Sequence, residues 1–247
     1  MTLVEAGLIV LAGLGAGTIN AVVGSGSLIT FPTLVWVGLP PVVANVSNTV
    51  GLVPGAVSGA WGYRRELAGQ RDRLLRLGAC TLTGSVVGAT LLLVLPPGVF
   101  AAVVPALILL ACVLVVIQPW LVRRLADRPR LDHGGPLVWL AVFATGMYGG
   151  YFGAAQGVLL IAVLALGLDE TLQRVNAAKN VLAGLANLVA GVIFVIVADA
   201  NWAAAGLVAV GAAAGGLLGA RVARRLPPAG LRAVVVLIGI VAIVTLV

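Results

Sequence analysis

Charge is what this chain lacks most. Only 9% of its 247 residues are Asp, Glu, Lys or Arg, against roughly 25% in a soluble globular domain. That leaves too little polar surface to cover a water-facing body. Histidine is reduced to His133 alone, in a polar linker, so no histidine-based metal cluster or catalytic pair can be built. Cysteine is reduced to Cys80 and Cys112, both inside apolar runs. Two such cysteines read as small buried hydrophobes, not as a disulfide framework or a metal motif. No carboxylate falls well inside an apolar stretch: Glu5, Asp169, Glu170 and Asp199 all lie near segment ends. Cation sites and proton relays in membranes normally use intramembrane carboxylates, so their absence argues for an anionic or neutral cargo. It also leaves no acid, base, metal or nucleophile set for an enzyme, and no cofactor is expected. No basic segment precedes the first apolar run, so Leu3 onward is expected to be a retained span and not a cleaved signal.

What is present is apolar sequence: 61% of the chain, in runs such as 74–95 and 203–220. About 20 apolar residues cross a hydrocarbon core of about 30 Å. The expected fold class is therefore all-α, a polytopic helix bundle in the lipid bilayer with no soluble domain. The net charge is +7. Its arginines flank apolar spans in short loops and do not form a folded basic face, which points to a membrane orientation signal and not to nucleic acid.

The sequence repeats itself. A shift of 129 positions lays Gly17 on Gly146, Gly24 on Gly153, Gly38 on Gly167, Leu39 on Leu168 and Gly55 on Gly184 without a gap. With small adjustments Gly84 and Gly88 fall on Gly211 and Gly215, and Pro96-Pro97 on Pro227-Pro228. Each glycine match is weak; their common order is not. Two homologous membrane repeats are expected, 1–120 and 134–247, joined by a cytoplasmic linker over 121–133.

Each half reads as five segments. The first apolar stretch, 3–38, would be roughly 54 Å long as a single helix, too long for one crossing, and it is interrupted at Gly24-Ser25-Gly26-Ser27. The segments are placed at 3–23, 27–38, 42–62, 74–95 and 98–118, then at 136–152, 155–168, 171–198, 201–220 and 229–247. An odd count inverts the second half relative to the first. It also puts the loop of Arg64, Arg65, Arg71, Arg73 and Arg76, the linker, the Arg174 region and the loop of Arg221, Arg224 and Arg225 on one side, inside, as the positive-inside rule asks. Four crossings per half would put the Arg221–Arg225 loop outside. The short segments are either full crossings or re-entrant.

Inverted repeats with broken helices are a transporter plan in which helix ends frame the site. At the first break, glycine permits unusual backbone angles, a serine is expected to cap the helix that follows, and that helix start can hold an anion. The second break is Gly153-Ala154-Ala155-Gln156-Gly157, where Gln156 can donate as Ser27 does. The competing reading is that these glycines only permit close helix packing. The helices after the breaks carry Asn45, Ser47, Asn48 and Thr49, and Asn176, Lys179, Asn180 and Asn187. Polar groups there face the bundle interior, as a site or as interhelical glue. Asn176 and Asn180 share a helix face. Lys179, the only lysine, is either a side chain reaching to the surface or a buried charge for an anionic cargo to neutralise. Asp169 and Glu170 are expected to cap the helix that follows them, Pro32 and Pro54 to kink theirs, and Tyr148 and Tyr151 to pack.

The first half reads Gly17-Thr18-Ile19-Asn20, Gly24-Ser25-Gly26-Ser27, Pro32, Leu39-Pro40-Pro41, Ala44-Asn45, Asn48-Thr49, Pro54-Gly55 and Tyr63-Arg64-Arg65. This pattern resembles the sulfite exporter TauE/SafE family of bacterial membrane permeases, and 146–180 resembles that family's second half. Two departures stand out: serines alternate with glycines in the first break, and Ala154 and Ala155 stand where glycines are common. The resemblance implies transport of a small anion, such as sulfite, sulfoacetate or a related organic anion, across the inner membrane, with export as the direction. Alternating access between the halves is the expected mechanism. The expected binding residues are Ser25, Gly26, Ser27, Asn48, Thr49, Gln156, Asn176, Lys179 and Asn180. A channel-like facilitator of a small neutral or anionic solute is the alternative, and a homo-oligomer is left open.

Overall fold

The computed structural model describes residues 1–124 and 134–222, together with 230, 233, 236–238 and 240. The described residues form an all-helical bundle. Its helices are α1 (Leu3–Val22), α2 (Ser27–Trp36), α3 (Pro41–Gly62), α4 (Arg71–Val94), α5 (Pro97–Arg124), α6 (Pro136–Tyr151), α7 (Gln156–Gly167), α8 (Leu172–Val197) and α9 (Trp202–Val222). The linker 125–133 and most of the last expected segment, 229–247, lie outside the described residues.

Local chemistry sets the helix ends. Thr2 and Glu5 form a reciprocal cap on α1: the Glu5 N–H donates to Thr2 Oγ1 (3.3 Å) and the Thr2 N–H to Glu5 Oε2 (2.7 Å). Prolines open α3, α5 and α6, where a missing N–H costs nothing. Thr171 caps α8 by accepting from the Arg174 N–H. The expected capping by Asp169 and Glu170 is thus corrected: Thr171 has the extended backbone a cap needs, and Glu170 turns to two arginines instead. Pro32 and Pro54 lie inside α2 and α3.

Among the described residues, five helices are long and apolar enough to cross a membrane: α1, α4, α5, α8 and α9. Their outer faces carry exposed Leu, Val and Ile, such as Leu109, Val116 and Ile196, as a lipid-facing surface requires. The short helices differ. With 10 residues in α2 and 12 in α7, they reach roughly 15 and 18 Å, about half the hydrocarbon core. Both double back. Gly26 lies against Ala16 and Asn20, and Ile29 reaches Gly15, so α2 runs back along α1. Gly167 lies against Val138, so α7 runs back along α6. The short segments, left open above as full crossings or re-entrant, form helical hairpins with the helices before them, α1–α2 and α6–α7.

Glycines let the long helices approach closely. Gly13 and Gly17 of α1 lie on the backbone of α9, and Gly84 and Gly88 of α4 on the backbone of α6. A second cluster is aromatic: Phe31 meets Phe152 edge-on at 5.1 Å and Phe100 at 6.4 Å, tying α2 and α5 to the end of α6.

Candidate functional site

The two helix breaks meet inside the bundle. After α1, Gly24 takes φ +90° and Gly26 ends the turn. After α6, Gly153 takes φ +76° and Ala155 φ +57°. A left-handed alanine is strained by about 1–2 kcal/mol, and the Tyr148 hydroxyl helps hold the turn by donating to the Ala154 carbonyl at 2.6 Å. The Gly157 N–H, in the first turn of α7, donates to the Gly24 carbonyl at 3.0 Å. A Cβ on either glycine would strike the other's backbone. The breaks therefore form one junction, not two separate kinks.

A small cavity sits at this junction, lined by Asn20, Gly24, Ser27, Gln156, Asn180 and Asn187 together with small residues of α3 and α8. Its volume is about 20 Å³, room for about one water molecule. Its polar lining is amide and hydroxyl, and contains no carboxylate. The Gln156 Nε2 is buried with no hydrogen-bond partner, and so is the Ser25 Oγ. Buried polar groups are usually satisfied, and a donor left open beside a cavity is a place for a ligand atom.

The expected site residues divide into layers. Ser27, Gln156 and Asn180 line the cavity; Ser25 and Gly26 form the turn beside it. The expectation that a serine caps α2 is corrected. No side chain of that cap residue is used, and the cover comes from Asn20, whose Oδ1 accepts from the Gly26 N–H at 2.6 Å. Asn48 stands behind Ser27: its Nδ2 donates to Ser27 Oγ (3.3 Å), and its Oδ1 accepts from the Thr30 hydroxyl. Thr49 bonds back to the Asn45 carbonyl of its own helix (2.9 Å) and takes no part in the lining.

Lys179 is fully buried and does not reach a surface. Its Nζ donates to the Asn20 carbonyl at 2.6 Å and lies 3.4 Å from the Ala21 carbonyl. Asn176 and Asn180 also donate to Ala21, at 3.1 and 3.3 Å. These are the last-turn carbonyls of α1, the negative end of its dipole. Three side chains of α8 thus cap α1. Asn45 of α3 does the corresponding job for α6, donating to the Tyr151 carbonyl at 3.0 Å. Burying an amino group is costly unless it is well hydrogen-bonded, and the helix C-terminus supplies acceptors for it without a carboxylate.

At the arginine-rich end, Glu170 bonds Arg73 Nη1 at 2.9 Å and Arg174 Nε at 2.6 Å. Gln70 Nε2 donates to the Arg174 carbonyl (3.1 Å), and Arg174 Nη1 to the Ala68 carbonyl (3.0 Å). This stitches the α3–α4 loop to the α7–α8 turn. At the other end, the Asn201 N–H donates to Ser47 Oγ at 2.9 Å. Sequence reading missed the roles of Asn20 and of this cluster. The sole hint for Asn20 was its place four residues before a Gly-Ser break. Among the described residues no group of His, Cys, Asp and Glu is arranged to hold a metal.

A family model described as sulfite exporter TauE/SafE matches residues 9–246. The chain belongs to that family. Among curated TauE/SafE-like relatives, it is similar to the "Probable membrane transporter protein YfcA" of Escherichia coli K12. The two are 27% identical over 207 residues, covering 83% of this chain and 76% of the relative. It is similar too to a "Probable membrane transporter protein" of Haemophilus influenzae, 26% identical over 211 residues, 85% of this chain and 81% of that one. A third, "Probable membrane transporter protein ORF9" of a Sinorhizobium species, is 26% identical over 144 residues, 58% of this chain and 54% of its own length. No solved structure matches significantly. Membership in TauE/SafE, with the apolar helices, makes this a multi-pass bacterial inner-membrane protein of a transporter family.

Proposed function

We propose that the protein exports a small anion (sulfite, a sulfonate or a sulfoacetate-like organic anion) by alternating access between two inverted halves. The observation that carries this reading is the junction. Two helix breaks, contributed by different parts of the chain, touch through Gly24 and Gly157. They frame a carboxylate-free cavity with an unpartnered Gln156 amide and the buried Lys179 ammonium close by. Amide and hydroxyl donors recognise oxyanions by their several acceptor oxygens, and one nearby cation supplies charge balance.

Ser25, Ser27, Gln156 and Asn180 contact the anion in this reading, while Asn48, Asn176 and Lys179 hold and polarise that layer. With room for about one water, the cavity is closed to such a cargo, which supports a carrier that must open over a permanently open pore. The ionic stitch at the arginine-rich end then keeps the cytoplasmic side shut, and the opposite end, where neutral hydrogen bonds such as Asn201 to Ser47 and Asn45 to Tyr151 lie, is the side that parts more easily.

The test is flux in proteoliposomes of folded, purified protein with sulfite, sulfate and short sulfonates. Movement of at least one of them above empty liposomes supports the reading. No movement of any of them refutes it.

A further inference from the structure

A second concavity lies on the outside of the bundle, between α3 and α8. Its volume is about 430 Å³, and its walls include Val53, Val57, Trp61, Leu185 and Leu188. Small residues also line it: Ala56, Ala60 and Gly184, with Gly184 close against Ala56. It is open to the side, with Val57 63% and Trp61 64% exposed. It runs from Val53 along α3 to Arg64 just past the helix end, so its helical part, Val53 to Gly62, is roughly 14 Å long at 1.5 Å per residue. One leaflet of the hydrocarbon core is about 15 Å thick. The groove's length therefore matches a single leaflet, and its Arg64 end lies at the arginine-rich end of the bundle.

Its charge is confined to one end. Arg64 is the only charged residue in the lining. Its guanidinium sits 5.1 Å from the centre of the Trp61 ring, and Nη1 donates to the Trp61 carbonyl at 3.2 Å. A guanidinium has five N–H donors, so a stacked and oriented Arg64 still presents donors to a phosphate. An aromatic ring and an arginine at the edge of an apolar slot of leaflet length match the two parts of a phospholipid. The depth of the slot matters as well: Ala56 and Asn180 line both this groove and the central cavity, so an occupant of one presses on the wall of the other.

We infer that this groove is a binding site for an anionic phospholipid of that leaflet, with one acyl chain along α3 and α8 and the phosphate on Arg64. The chain closes the lateral approach to Asn180, and the headgroup charge gives the preference. One basic side chain at a membrane surface corresponds to about a five-fold preference for an anionic lipid.

The experiment is native mass spectrometry of the purified full chain, released from micelles containing equal amounts of phosphatidylglycerol and phosphatidylcholine with identical acyl chains. Wild type is expected to retain phosphatidylglycerol about five-fold over phosphatidylcholine. Arg64→Ala is expected to bring the two to parity. Arg76→Ala, which removes another exposed charge that is not part of the groove lining, should leave the preference intact. Ala60→Trp, which fills the slot from a half-buried position, should abolish retention of both. Equal retention of the two lipids by wild type overturns the inference. So does an Arg76→Ala effect as large as that of Arg64→Ala, or undiminished retention by Ala60→Trp. The exposed arginine pair decides the matter by itself should the tryptophan variant fail to fold.

Discussion

The amide of Gly157 donates to the carbonyl of Gly24 across 3.0 Å, and neither residue has room for a methyl group. Gly24→Ala adds a clash to a φ of +90°, while Gly157→Ala adds the clash alone. Overpacking costs about 1–3 kcal/mol, and a left-handed non-glycine about 1–2 more. Both variants are expected to melt below wild type in a thermal unfolding assay, Gly24→Ala by more, and both to lose most flux.

Gln156 separates binding from folding. Its Nε2 is buried without a partner, so the fold gains nothing from that donor. Gln156→Leu keeps most of the volume and removes an unsatisfied group, a change that is close to neutral or stabilising. The expected outcome is an unfolding temperature at or above wild type together with weaker transport.

Lys179 does two things at once, and substitutions pull them apart. Lys179→Met leaves the Asn20 carbonyl without its 2.6 Å donor, at a cost of about 1–3 kcal/mol for the orphaned group. Lys179→Gln restores a donor of shorter reach but no charge. The glutamine variant is expected to be the more stable of the two by thermal unfolding, and both should move anion more slowly than wild type, since each removes the charge behind the contacting layer.

The ion cluster predicts a pH dependence. Burial alone would push the Glu170 carboxyl up, but its hydrogen bonds to Arg174 and Arg73, with their charges, together hold it below the usual carboxylate value. A lowered folded-state value means stabilisation that is present in full above the ordinary carboxylate range and lost as pH falls through the lowered one. Glu170→Gln is expected to cost about 2 kcal/mol near neutrality, between the limits for exposed and buried pairs. In unfolding curves taken across pH, the gap to wild type should close in acid.

Much of the bundle was legible because hydropathy and chain punctuation are local signals. The segment expected at 42–62 is α3 at Pro41–Gly62, and that at 201–220 is α9 at Trp202–Val222. The breaks at 24–27 and 153–157 were visible as Gly-rich interruptions in apolar runs. What escaped notice was pairing. Lys179 was legible as an oddity, but its partners lie 159 and 158 residues earlier, as main-chain carbonyls that carry no sequence signature. Glu170 read as a helix cap because acidic residues before a helix usually are; its partner Arg73 lies 97 residues away. Asn20 entered only as one position of a family pattern, since nothing local says that its side chain covers the start of the next helix.

The most direct measurement is the concentration dependence of sulfite flux in proteoliposomes, wild type against Gln156→Leu. Binding at the helix junction predicts saturation in wild type and a half-saturating concentration at least about ten-fold higher in the variant, the cost of one lost hydrogen bond to a charged group. Flux that rises linearly without saturating, or one curve shared by both proteins, would contradict it.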